Sequence, residues 1–153
     1  NPEGYNLQLE STIAEDTTGG AIWYAPTSSH LRLKIFGGTN YTGGTYLALL
    51  FASVDGISKV GYFDGSNSDL TITTGFQPRF LIVKAASTSG SWNVLDTTRG
   101  WGAGNDPYLK LDSTAAQNSG YNNGAPTATG FTLTGNMGGI NVSGQKYVYY
   151  CHA

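Results

Sequence analysis

Arg79-Phe-Leu-Ile-Val-Lys-Ala85 decides how the rest of the chain is read. Its centre is apolar without alternation, the pattern of an inner strand covered on both faces. Such a strand needs neighbours, and the surrounding sequence offers them. Runs rich in β-branched and aromatic residues, parted by Gly, Asn, Asp and Ser, predict strands near Ser58–Tyr62, Leu70–Thr74, Ser91–Leu95, Tyr108–Leu111, Phe131–Thr134 and Lys146–His152. Towards the N-terminus the same reasoning predicts Tyr5–Glu10, Ala21–Tyr24, Leu31–Phe36 and Thr45–Ala52. Tyr5, Leu7 and Leu9 alternate with Asn6, Gln8 and Glu10, as in a half-buried strand. Asp55-Gly56 and Asp64-Gly65 are turn pairs, because Gly accepts positive φ and Asp bonds back to the backbone. Helix is scarce: Ser113–Gln117 could form a single turn, capped by Ser or Thr.

Composition agrees. The 153 residues include 22 Gly and only 12% charged residues, with a net charge of −2. Long Ala/Glu/Lys/Leu stretches are missing, which excludes helical bundles and coiled coils. No run approaches the apolar length that crosses a bilayer, so no membrane partner is expected. An acidic balance without basic clusters excludes a nucleic-acid partner. The expected fold is an all-β antiparallel sandwich of jelly-roll or lectin-like type.

The chain also repeats itself. Leu7-Gln-Leu-Glu-Ser-Thr-Ile-Ala-Glu15 matches Leu109-Lys-Leu-Asp-Ser-Thr-Ala-Ala-Gln117, with five of nine positions identical. Ala25-Pro-Thr27 recurs as Ala125-Pro-Thr127. Residues 37–52 match residues 138–153 with six of sixteen identical, both glycines of the leading pair and the Tyr that opens the last strand among them. Agreement in order and at nearly one offset marks a duplicated unit. Residues 53–153 are therefore expected to form one complete sandwich unit, and 1–52 to be a half-unit equivalent to its C-terminal part. A half-sandwich exposes an apolar face and open edges, so the half-unit is expected to pack on the main unit or on a neighbouring subunit.

Several segments carry a resemblance: Gly75-Phe-Gln-Pro78 ahead of the apolar run, Leu95-Asp-Thr-Thr-Arg-Gly100, Gly130-Phe-Thr-Leu133 and Asn141-Val-Ser-Gly144. Their order resembles a repeated domain of structural proteins of tailed phages, especially marine and cyanobacterial ones. The end departs from it, with Tyr149-Tyr-Cys-His152 where a Trp-rich ending belongs. The resemblance implies a virion component at the particle surface, a tail fibre, appendage or capsid decoration, with itself and other virion proteins as partners. It implies a homo-oligomer, a trimer in a fibre or knob, and no catalytic activity. A subunit of a secreted bacterial or archaeal surface filament is the alternative.

Candidate chemistry is sparse. Trp92, Arg99, Trp101, Asn105, Asp106 and Tyr108 fall within seventeen residues. Aromatic rings that stack on a sugar face, ringed by Asn, Asp and Arg, make a carbohydrate site, so these are candidates for binding host-surface polysaccharide. The competing reading places the rings in a core or a subunit contact. Asp96, Arg99 and Gly100 read as a structural turn, the two charges paired and the glycine reversing the chain. Asp64, Asn67 and Asp69 make a weak Ca²⁺ candidate that lacks the closing Glu of an EF-hand. No other metal is expected, because His30, His152 and Cys151 have no spaced partners. No cofactor and no nucleophile–base arrangement are read. Cys151 lies within a strand-like run and reads as a small buried hydrophobe. Asn40-Tyr-Thr42 and Asn141-Val-Ser143 fit the N-glycosylation pattern at equivalent repeat positions, which shared ancestry explains.

Overall fold

In a computed structural model, residues 5–16, 24, 26–34, 40–135 and 139–153 are described. Eight strands occur among them: β1 (Ser58–Asp64), β2 (Leu70–Thr73), β3 (Phe80–Ala85), β4 (Asn93–Asp96), β5 (Tyr108–Lys110), β6 (Ala125–Thr127), β7 (Gly130–Leu133) and β8 (Lys146–His152). They form two antiparallel sheets, one in the order β1-β8-β3-β4-β5 and one in the order β2-β7-β6. No described residue is helical. The fold is all-β, as the sequence predicts.

The apolar run takes the middle of the larger sheet. β3 pairs with β8 through Leu81↔Cys151 and Val83↔Tyr149, and with β4 through Leu81↔Leu95. Strand alternation sends Leu81, Val83, Ala85, Leu95, Tyr147, Tyr149 and Cys151 to one face. There they meet Phe131 and Leu133 of β7 and the partly buried Leu70 and Ile72 of β2, closing the core between the sheets. Phe131 stands edge-on to Tyr149 with ring centroids 5.5 Å apart. Asn141, fully buried, ties down the β1–β2 loop: its side chain accepts from Ser66 N–H at 2.9 Å and donates to Ser68 C=O at 2.7 Å.

Several expectations are corrected. Tyr5–Glu10 is no strand; only Asn6 pairs, in a single bridge to Asp16. Thr45–Ala52 belongs to no strand and no sheet. Of the strands expected at 21–24 and 31–36, Tyr24 and residues 31–34 lie in no named strand, and 21–23 and 35–36 lie outside the described residues. The turn of helix at Ser113–Gln117 is likewise not formed; Ser113 Oγ instead accepts the N–H of Ala115 at 3.1 Å. Tyr5–Glu10 and Thr45–Ala52 carry the side-chain pattern of a strand but have no strand paired with them among the described residues, and an unpaired strand does not hold in water, whereas Tyr24 N–H does reach Arg32 C=O at 3.0 Å.

Candidate functional site

The polar candidates divide once the side chains are placed. Trp101 and Tyr108 belong to the hydrophobic core, Trp101 with its ring 6.0 Å from that of Phe131. Neither can present a face to a sugar. Asp106 is wholly buried, and its carboxylate accepts two backbone N–H groups, Gly102 at 2.8 Å and Asn123 at 2.6 Å. It joins the loop before β5 to the segment entering β6. Trp92 is half-buried and donates its indole N–H to Gln8 C=O at 2.8 Å. Only Asn105 and Arg99 remain exposed, so the six residues do not converge on one platform.

Arg99 does what its turn requires. Its guanidinium lies 3.3 Å from the Asp96 carboxylate, which also accepts Arg99 N–H at 2.8 Å, and Gly100 follows with φ +114°. The Ca²⁺ candidate does not assemble either. Asp64 faces Lys146 at 4.0 Å, Asn67 accepts Ser143 N–H at 2.9 Å, and Asp69 accepts Gly135 N–H at 3.0 Å. Asp64 thus faces a side-chain ammonium, while Asn67 and Asp69 cap different pieces of backbone. Among the described residues no group of three or more His, Cys, Asp or Glu could hold a metal ion.

The surface with functional character is apolar. Beside the inward-facing side chains, the five-stranded sheet turns Val60, Ile82, Val148 and Tyr150 to its other face. Residues 5–16 lie against that face, held by several polar contacts. Glu15 N–H reaches Ala86 C=O at 2.7 Å, and Gly90 N–H reaches Thr12 C=O at 2.8 Å. Lys84 of β3, with no exposed surface, donates its ammonium to Ile13 C=O at 3.0 Å, Thr12 C=O at 3.4 Å and Ala85 C=O at 2.7 Å. Burial holds its pKa below the ordinary lysine value, opposed by the charge of Asp112.

Between this strap and the sheet lies a groove of about 540 Å³, walled by Leu7, Leu9, Leu49 and Phe51 on one side and by Val60, Ile82, Val148 and Tyr150 on the other. Its rim continues into an apolar ribbon, Tyr46-Leu-Ala-Leu-Leu-Phe51. Leu47 is 87% exposed, Leu50 74% and Leu49 67%, and Tyr62 on the neighbouring edge strand is 78% exposed. Monomers rarely leave so continuous an apolar patch in water, since burying one leucine side chain is worth about 1.5–3 kcal/mol. Alternation in residues 45–52 is weak, so the sequence reads there as a strand, and only the missing neighbours reveal a surface.

A family model described as "Domain of unknown function (DUF7483)" matches residues 2–153. No curated protein and no solved structure matches the chain.

Proposed function

The chain belongs to this DUF7483 family, and from that premise we propose that it is a non-catalytic structural module of a multi-subunit particle. It joins its neighbours through the apolar ribbon and the outer face of the five-stranded sheet. The ribbon at Tyr46–Phe51 carries this reading, because water-exposed leucines in that number are a standing free-energy gain for whatever covers them. The low charge, 12% of residues, supports it too, since densely packed copies then repel one another little. The particle best supported is the virion of a tailed phage, as a tail fibre, appendage or capsid decoration. The order of Gly75–Pro78, Leu95–Gly100, Gly130–Leu133 and Asn141–Gly144 is what supports that choice.

Sedimentation of the full chain across a concentration series tests the assembly. Wild type is expected to associate, and Leu47→Asp with Leu50→Asp to remain monomeric with an unchanged β-sheet spectrum. A wild type that stays monomeric at the highest soluble concentration would overturn the reading. Mass spectrometry of purified phage particles checks the location: absence of the chain's peptides would remove the virion role.

A further inference from the structure

The half-unit keeps the local contacts of the full unit at the offsets of the repeat. Asn6 and Asp16 exchange both backbone hydrogen bonds, at 3.2 and 2.9 Å, and Tyr108 and Asn118, 102 residues on, do the same at 2.9 and 3.0 Å. Ser11 Oγ accepts Ile13 N–H at 3.1 Å, and Ser113 Oγ accepts Ala115 N–H at 3.1 Å. Gly44 N–H reaches Tyr41 C=O at 3.1 Å while Tyr41 N–H reaches the Tyr46 hydroxyl at 2.9 Å. The counterparts 101 residues later are Gln145 N–H to Val142 C=O at 3.2 Å and Val142 N–H to the Tyr147 hydroxyl at 3.1 Å. Gly43 and Gly144 share a left-handed φ, +82° and +78°.

What differs is the sheet. Tyr147 is 1% exposed and Cys151 0%, because β8 runs between β1 and β3; their counterparts Tyr46 and Leu50 are 46% and 74% exposed. The ribbon thus has the turn, the hydroxyl latch and the apolar side chains of β8 without strands beside it among the described residues. We infer that Thr45–Ala52 is a β8-type strand whose occupants are β1- and β3-type strands from the first half of another unit of this kind, joined ahead of it in the same polypeptide. The repeat offset, and not the position of residue 1, dictates that partner. A second intact copy has no such strands to spare, since its own β1 and β3 already flank its own β8.

The contact between half-unit and full unit supports the same order. Residues 11–15 sit against Lys84, Ala86 and Gly90, whereas their counterparts 113–117 are exposed. Each unit therefore carries one such loop and one such seat, the complementarity of a head-to-tail array. This inference rests on reading the ribbon as an interaction surface and names what covers it.

The test is the full chain extended by a copy of residues 53–104 joined directly to Glu3, the position the 102-residue offset requires. A second extension carries Asp at the positions equivalent to Leu81 and Val83. Amide hydrogen exchange at Tyr46–Phe51 is expected to slow about a hundredfold or more in the first chain and to stay fast in the second. Equal exchange at these amides in the first chain and the unextended one, with β8 still protected, would overturn the inference. So would protection in the unextended chain that rises with concentration to the level of β8, because a second copy would then be the strand partner; association through side chains alone leaves these amides unpaired and fast. Sedimentation separates the two claims. Association of the extended chain with an unprotected ribbon sinks only this inference; a protected ribbon in a strictly monomeric chain sinks only self-assembly.

Discussion

The Asp106 carboxylate accepts the backbone N–H of Asn123 at 2.6 Å across seventeen residues, inside a site with no exposed carboxylate surface. With Gly102 N–H on its other oxygen, the side chain binds the loop ahead of β5 to the approach to β6, alongside the backbone bond from Asp106 N–H to Tyr121 C=O at 2.8 Å. Asp106→Ala would leave the N–H of buried Asn123 and that of Gly102 without this acceptor and is expected to cost about 1–3 kcal/mol, read as a lower denaturant midpoint. Asp106→Asn should recover part of the loss. A change within about 0.5 kcal/mol for the alanine variant would show that the link is dispensable.

Lys84 fastens the N-terminal strap, so Lys84→Met should loosen it selectively. The amides of Glu15 and Gly90 are expected to exchange faster while those of Leu81 and Val83 hold, at a cost of about 1–3 kcal/mol. Uniformly faster exchange would mean that the lysine supports the whole sheet instead.

Cys151 gives a pH signature. Burial pushes its thiol from an ordinary 9.0 up to about 11, with the backbone N–H and the charge of Lys59 pulling the other way. Between pH 9 and pH 11 the unfolded chain has released this proton while the native chain keeps it. Stability therefore falls as pH rises through that window, by about 2 kcal/mol at its end, and is unaffected below it. Tyr147 and Tyr149, also raised by burial, act in the same sense at higher pH. Comparison with Cys151→Ala isolates the thiol: the variant should lose stability less steeply from pH 9 to 11. Parallel curves would refute the assignment.

Gly124 combines φ +107° with a backbone approach that excludes any side chain, since a Cβ there would collide with the carbonyl of Thr132. Gly124→Ala must part β6 from β7 or distort the turn, and is expected to cost about 3 kcal/mol or more in thermal or denaturant unfolding. Gly104, with positive φ and open space around its Cα, should lose only about 1 kcal/mol as alanine.

Most strands of the full unit were legible because apolar and β-branched runs such as Phe80–Ala85 and Lys146–His152 carry their own signal. β6 was not, because Pro126 argues against a strand; it is tolerated since β6 is an edge of the smaller sheet. The N-terminal strands were over-read for the opposite reason. Tyr46–Ala52 inherits the composition of β8, but a strand is a property of a pair, and the composition does not show whether the other member is present. Trp101 and Tyr108 misled because closeness in sequence gives no direction: Tyr108 opens β5 with its ring turned inward, and Asp106 turns in beside it. The signal available was modest, a single acid between Gly-rich loop and strand.

Asn141 has a practical consequence for how the protein can be made. Its side-chain nitrogen is fully enclosed and donates to Ser68 C=O at 2.7 Å, yet Asn141-Val-Ser143 matches the acceptor pattern for oligosaccharyl transfer. Sugar attached to the nascent chain in a eukaryotic secretory pathway would occupy the atom that anchors the β1–β2 loop. Product from such a host should separate into an unmodified, folded fraction and a glycosylated one retained by quality control, while bacterial expression escapes the conflict.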